Sequence, residues 1–452
     1  MGRLRPNTVA SQTLRATSRP PASRPVGTTP KRRSVVGGDV VLEHDGEKVT
    51  YKLLSGIDTF LHYVIERHKA FERRYAGKLG PWTDDPILQM ARFTNNFRIL
   101  DKDTQYILVA VIPGGSSNFK ECVFRVLLFR LFDRIETYEF LRDEVGPLTW
   151  KGFNREAYVE ALDRRVAARY SIVGHAYQMP SPTPKTIGGA SHHDRILRLL
   201  ELMMLSGFAD DLSECYELCD MQAKIALYPS MRAFLGYQVI LDLNMIPALM
   251  VPEDWALPGP GAVSGLRMIL GKSLRGEHIG PALSWMHEHF DELAFAAGYT
   301  KKDIPALKPS MPGLSIVDIE HVLCEFSKYV KIKSPASYNY RSFGLHMANP
   351  KVTRILPKNW KLARIAFMER NRKYTNPHAS KSGEFVVSAI LDKGMCERAL
   401  HYKIRWEGWG PDADTWEPAA KLAEEVPDMV KTFEKKLAVI EDLLKKYRLN
   451  KL

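Results

Sequence analysis

The chain has 452 residues and a mass of 51.4 kDa, with 45% apolar and 26% charged residues. That is two to three folded domains at roughly 150 residues each, and it excludes a wholly disordered, collagen-like or small disulfide-stapled chain. The net charge is +12, but residues 1–38 hold eight Lys or Arg and no acid, which leaves only +4 for everything after them.

Five cysteines are the sparse, odd count of a reducing compartment. No apolar run approaches the roughly 20 residues of a bilayer span, Tyr106–Ile112 being among the longest, so no membrane partner is expected. In chain order, residues 1–38 are rich in Arg, Ser, Thr and Pro and poor in large apolar groups. They cannot bury enough surface to offset their ordering entropy and read as a disordered basic tail, suited to an anionic partner such as DNA. Lys31-Arg32-Arg33 fits a nuclear import signal; the acid-free Arg/Ser composition fits a transit peptide or a solvated linker as well.

Residues 40–53 predict a hairpin turning at Asp45-Gly46. From there to residue 345 the apolar periods are helical. Asp58 is placed to cap a helix running to Gly77, with Phe60, Val64, Phe71 and Tyr75 on its apolar side. Asn118–Arg142, apolar on most faces through Phe132, reads as a central buried helix. Further helices fit near 101–111, 154–170, 192–206, 210–226, 231–243, 278–297 and 316–331. Helices without a strand series predict a multidomain protein whose large all-α domain spans 39–345 and opens with the hairpin. A basic connector at 346–380 and a C-terminal module at 381–452 follow.

In that module, Phe385–Leu391, Leu400–Trp406 and Asp414–Glu417 read as strands and Pro427 starts a helix. Such a sheet is barely large enough to hold a core. Phe385, Trp406, Trp409 and Trp416 fall close together, and three aromatic rings converging on one surface attract a quaternary ammonium through their π faces. The succession E-F-V-V, Y-K-I-R-W-E-G-W, D-T-W-E-P, F-E-K-K resembles a chromodomain. The resemblance implies a small α+β fold, a three-stranded antiparallel sheet with a C-terminal helix. It also implies a methylated histone tail as partner, added as an extra strand against the N-terminal segment. It puts a methyl-lysine cage on Phe385, Trp406 and Trp409, assigns Trp416 to the core with Glu417 its adjacent acid, and leaves Ala413 and Lys421 where histone-reading members carry polar peptide contacts. The closing helix carries an apolar heptad seam through Val426, Val430, Phe433, Leu437, Ile440, Leu444 and Tyr447. Its first half is expected on the sheet; its second half either docks on the helical domain or self-associates weakly with a second copy.

The helical domain carries no phosphate loop of the G-x-x-x-x-G-K-[ST] type, and no cofactor is expected. Cys215 and Cys219 stand four apart on one predicted helix, but no second pair with zinc spacing follows, so they read as buried thiols and no metal is expected. His192-His193 reads as an exposed loop or helix start. Arg134 and Glu136 beside a strongly apolar segment cost desolvation unless they pair or meet a ligand. The run Leu257–Ala262, with Gly259 and Gly261 at a helix start, offers backbone amides to an anion such as phosphate.

The blocks W-T-D-D-P-I-L, R-F-T-N, L-F-R-L-F-D-R-I-E-T-Y, G-P-G-A and D-I-E-H-x-L-C-E-F-S-K-Y appear in order over roughly 60–345. They resemble the helical domain associated with 5-hydroxymethyl-deoxyuridine DNA kinases and their thymine pyrophosphorylase-like relatives. The resemblance implies association with DNA; kinase chemistry in that family belongs to a separate P-loop domain. A more distant similarity to helix-hairpin-helix DNA glycosylases rests on Leu227–Ala233, but Ser230 replaces the hairpin glycine and the expected aspartate near Gly259–Val263 is missing, so glycosylase activity is not predicted. Two readings of the polar residues stay open. Either Arg92, Asn95, Arg134, Glu136, Glu320 and Glu325 surround one pocket for a base edge or phosphate, with amides near Gly259 and Gly261, or Arg134–Glu136 and Asp318–Glu325 are internal salt links that fix helix packing.

The sequence thus predicts a nuclear, chromatin-associated protein that reads methyl-lysine and binds DNA or a modified base. The alternative is an enzyme of thymine or hydroxymethyluracil modification, targeted to chromatin by its chromodomain, with Glu136 or Glu320 as acid/base. Convergence of the polar clusters on one cleft would favour the enzyme.

Overall fold

The computed structural model describes residues 32–44, 46–174, 181–232, 234–308, 311–334, 352–357, 385–396, 398–407 and 409–449. The tail through Lys31, Asp45 of the expected turn and most of the 346–380 connector lie outside the described residues.

Strand β1 (Asp39–His44) pairs antiparallel with β2 (Glu47–Lys52), and alternation sends Val40, Leu42 and Tyr51 into the core. The residues just before it, expected to belong to the free tail, lie against the body. Arg33 N donates to Ala297 O (3.2 Å), and the Arg32 guanidinium sits 3.6 Å over the Tyr299 ring while donating to Gly298 O. Ser34 Oγ and Val35 N both donate to the Asp58 carboxylate. Asp58 is therefore not a helix cap: α1 (Gly56–Tyr75) begins before it, and its carboxylate ties down the incoming chain.

Helix α2 (Phe119–Phe132) is the buried centre, with every residue from Cys122 to Phe132 out of water. It stops short of Arg142. Asp133 turns left-handed (φ 50°), its N–H closes on Phe129 O and its carboxylate accepts from Arg130 at 2.8 Å, and α3 (Ile135–Val145) restarts beyond it. The local ion pair offsets the strain of a left-handed aspartate. Residues 102–111 begin α-helical and finish as a π turn over Ile107–Val111. Helix α4 (Arg155–Ala167) packs on α5 (His192–Leu205), where His193 is buried against Asp163 (2.9 Å) rather than exposed. The expected helix over 210–226 is two pieces, Phe208–Ser213 and α6 (Leu218–Ala226). Cys215 falls in the joint and Cys219 in the first turn of α6, both buried.

Helices α7 (Phe234–Leu243), α8 (Pro260–Leu270), α9 (Ile279–Ala296) and α10 (Ile316–Lys333) complete the body, with a minimal ladder of β3 (Ala306–Lys308) and β4 (Met311–Pro312) before α10. Helices α8 and α10 approach through glycine: a Cβ on Gly261 would lie 2.2 Å from Cys324 Sγ, and one on Gly265 would lie 2.5 Å from Leu323 O.

In the C-terminal module, β5 (Val387–Cys396), β6 (Ala399–Trp406) and β7 (Thr415–Pro418) form one antiparallel sheet in chain order, β5 running on past Leu391. Helices α11 (Ala419–Glu425) and α12 (Pro427–Arg448) close a small core of Ile390, Tyr402, Ile404, Leu422 and Phe433. The seam of α12 then divides. Phe433 serves this core, while Ile440, Leu444 and Tyr447 are buried in the core of the helical body. The second half of the helix docks within its own chain, and that docking covers the surface weak self-association would have used.

The docking is polar as well as apolar. Arg405, on the sheet face opposite Tyr402 and Ile404, is 5% exposed; it pairs with Asp414 in the module and reaches Asp220 Oδ1 (3.2 Å) and Cys219 Sγ (3.1 Å) on α6. Arg232 meets Asp392 at 2.9 Å and Lys436 meets Asp211. Tyr447 is fully buried between the guanidinium groups of Arg155 and Arg198, its hydroxyl donating to Glu201 (2.8 Å).

Candidate functional site

Three of the aromatic residues meet at one edge of the sheet. Glu407 N donates to Val386 O (2.8 Å), extending the β5–β6 pairing one step and bringing Phe385 beside Trp406; Trp409 N closes a turn onto Trp406 O (3.1 Å). The Phe385 ring lies 6.1 Å from Trp406 and 5.9 Å from Trp409 between centroids, inclined at 63° and 69°. Phe385 is 55% and Trp409 42% exposed, so the group opens to water. Rings inclined this way present faces and edges around a space instead of stacking to fill it.

Trp406 is held in place. Its indole Nε1 donates to Thr415 Oγ1 (3.1 Å), whose hydroxyl donates to Glu417 Oε1 (2.6 Å), and Lys421 lies 3.8 Å from Glu417. Glu417 therefore helps to orient the Trp406 indole. Trp416 departs from its expected core role: it is 41% exposed, pairs across the sheet with Lys403, and lies over Gly394, where a Cβ would come within 3.1 Å of its ring. Alternation explains this, because the core face is taken by Tyr402 and Ile404, and the partner of Lys403 must point the other way.

Of the residues proposed for DNA, Arg92, Asn95 and Glu325 lie near one another, joined through Thr94 and Lys328, while the others are engaged in contacts of their own. Arg134 pairs with Glu136 at 3.3 Å at the start of α3, with Glu136 half-exposed. Arg92 is exposed, its carbonyl taken by Lys328. Asn95 is used internally: Oδ1 accepts from Arg67 (2.8 Å) and Nδ2 donates to Leu100 O. Glu325 accepts from Thr94 N (3.0 Å) and lies 3.5 Å from Lys328. Glu320 is buried and accepts from Gly259 N at 3.0 Å. The helix start at Gly259 does meet an anion, but the anion is this internal carboxylate; phosphate has no access to it, and Gly261 serves helix packing. Burial pushes the Glu320 carboxyl up to about 7 against the pull of the Gly259 amide. Two surface clefts among the described residues include none of these six side chains in their walls.

A buried charge network went unrecognised in the sequence. Arg98 donates to Asp242 (2.9 Å) and lies 3.7 Å from Asp101; Arg130 bonds Asp133 and lies 3.4 Å from Asp242; His321 lies 3.2 Å from Asp101; and Asp318 accepts from Arg98 N (3.0 Å). Burial raises Asp133 to about 7, and burial with nearby Glu253 raises Asp318 to about 7. Burial alone would depress His321, but Asp101 holds it above its usual value. The signal available was charge inside apolar runs, Arg130 in Phe119–Phe132 and Asp242 in Phe234–Leu243, which cannot reach solvent and must pair.

Glu217, Cys219 and Asp220 bring three metal-type donor atoms within 4.8 Å. Cys219 and Asp220 already hold the Arg405 guanidinium, a cation in the place a metal would take. Burial raises the Cys219 thiol well above its usual range and Asp220 to about 6, so the thiolate a metal needs is disfavoured.

A helical body of this kind joined to a small sheet with an open aromatic edge defines a two-part architecture, a DNA-modification-type helical domain carrying a chromo module. Residues 55–339 match the family of the 5-hmdU DNA kinase helical domain, and the chain belongs to that family; residues 385–436 are a chromo domain. The chain is 23% identical over 342 residues to the 5-hmdU DNA kinase of Bacillus phage SP10, covering 66% of this chain and 50% of the phage protein. It is 40% identical over 62 residues to the chromo domain-containing protein cec-3 of Caenorhabditis elegans, covering 14% of this chain and 18% of the worm protein. The chain thus spans half or less of the curated relatives it matches. No solved structure matches it.

Proposed function

We propose that this is a nuclear, chromatin-associated protein whose chromo domain reads a methylated lysine of a histone tail through Phe385, Trp406 and Trp409, while its helical body acts at DNA. The observation that carries the reading is the open group of inclined rings, with Trp406 pinned by Thr415. A trimethylammonium group is a soft, poorly hydrated cation, and each ring face it meets contributes on the order of 0.5–2 kcal/mol. The DNA-directed half rests on the family of the helical body.

The test titrates the full chain with histone-tail peptides carrying unmodified or trimethylated lysine. Trimethylation is expected to tighten binding, and Trp406→Ala to weaken it by about tenfold or more. Equal affinity for both peptides, or an unaffected Trp406→Ala variant, rejects the reading. The enzyme alternative gains less from the geometry, because Glu136 is paired at the surface and Glu320 is sealed beneath the Gly259 amide; the two do not line a common cleft.

A further inference from the structure

The π turn and the end of α3 enclose a cleft of about 350 Å³, at the lower end of the range for small-molecule sites. Its walls are Ala110, Gly114, Pro147 and Leu148, with Tyr138 and Arg142 as its functional groups. The rim is built to hold its shape. Arg125, fully buried, donates to the carbonyls of Val111, Ile112 and Ser116 at 2.8 Å each, satisfying groups that the end of a π turn leaves free. Gly114 folds back so closely on Ala110 that a Cβ would lie 2.4 Å from its carbonyl oxygen.

Tyr138 is only 4% exposed, yet its hydroxyl has no hydrogen-bond partner among the described residues and is not one of the sealed polar atoms. Tyr138 is one of the residues that line the cleft. A buried phenol left without a partner costs on the order of 1–3 kcal/mol unless a ligand or water supplies one. Arg142 stands at the mouth, its side chain 51% exposed and, among the described residues, ion-paired with the adjacent, water-screened Asp143 at 3.1 Å.

We infer that this cleft is a nucleotide site, with a base between the apolar walls, its edge on the Tyr138 hydroxyl and its phosphate on Arg142. The inference rests on the DNA-directed reading of the helical body. Phosphate alone would leave the phenol and the apolar walls unused, and a purely apolar ligand would leave the phenol unpaired. A planar ring bearing a phosphate uses all three, and the guanidinium fork matches phosphate in a bidentate fashion. The same chemistry is available from a free nucleotide or from an unpaired nucleotide in a DNA strand.

The experiment titrates the full chain with thymidine 5′-monophosphate, thymidine, inorganic phosphate and a single-stranded thymine oligonucleotide. Arg142→Gln, on an exposed side chain, is expected to weaken nucleotide binding by about tenfold, and Tyr138→Phe by about three- to tenfold. Tighter binding of the monophosphate assigns the free nucleotide; tighter binding of the oligonucleotide assigns the strand. The site falls if neither nucleotide form binds, if both variants bind like the parent, or if phosphate binds as well as the monophosphate. An oligonucleotide that binds regardless of both substitutions overturns this site while the DNA reading stands. Helical circular dichroism and an unfolding midpoint matching the parent show that both variants remain folded.

Discussion

Glu320 shows how one residue converts an apparent ligand site into structure. Its carboxylate occupies the N-terminus of α8, where backbone amides and the helix dipole favour an anion. Because burial raises it to about 7 from 4.5, the folded state keeps its proton to higher pH than the unfolded chain does. The stability this group contributes is complete below about 4.5 and is lost as pH rises towards 7. Urea unfolding at pH 5 and pH 8 should therefore show a loss that Glu320→Gln reduces by on the order of 1–3 kcal/mol; an identical loss in both proteins rules the argument out. Asp133 and Asp318 act in the same direction and leave a residual slope. At the cage, Thr415→Val removes the acceptor of the Trp406 indole without touching a ring face. Peptide affinity is expected to fall about three- to tenfold, read by fluorescence anisotropy, whereas an unchanged value means that packing alone orients the indole.

Among the elements, α12 joins two cores. A helix of mixed polarity gains little from propensity alone, and its stability comes from the surface it buries. Here Phe433 is buried against the sheet and Ile440, Leu444 and Tyr447 against the helical body. Tyr447→Ala removes a fully buried ring and its bond to Glu201. It is expected to cost about 3–5 kcal/mol, measured by chemical unfolding; a loss under 1 kcal/mol would mean that the end of the helix contributes little to docking. The glycine contact of α8 with α10 is equally specific. Gly261→Ala must push its methyl group into Cys324, and overpacking of this kind costs about 1–3 kcal/mol.

For the whole molecule, Arg405 is the residue on which docking turns. It lies next to Trp406 on β6, yet projects from the other face towards Asp220 on α6. Removing it leaves the buried Asp414 only the more distant Lys403 at 3.6 Å and takes the guanidinium from the part-buried Asp220, a change expected to cost up to about 3–5 kcal/mol. The parent chain should unfold in one transition seen alike by tryptophan fluorescence and circular dichroism, and Arg405→Ala should separate the chromo domain from the helical body into two. Two transitions in the parent would show that the interface does not couple the domains. Under the proposed function, rigid coupling would set the geometry in which a histone tail and a DNA strand are held together, and so whether two weak contacts add to one strong one.

The sequence by itself determined what depends on spacing along the chain. The helical and alternating periods and the heptad seam of α12 are all patterns of near neighbours, although the seam left its second half open between docking and self-association. It could not determine which distant groups meet. Asp133 breaks a helix where the buried Arg130 pairs with its carboxylate. Trp416 faces out because Tyr402 and Ile404 claim the core, and the Gly259 amide is taken because α10 brings Glu320 beneath it. Those outcomes rest on contacts between residues far apart in the chain, where burial forces each charge to find a partner, and only the tertiary structure decided which partner that is.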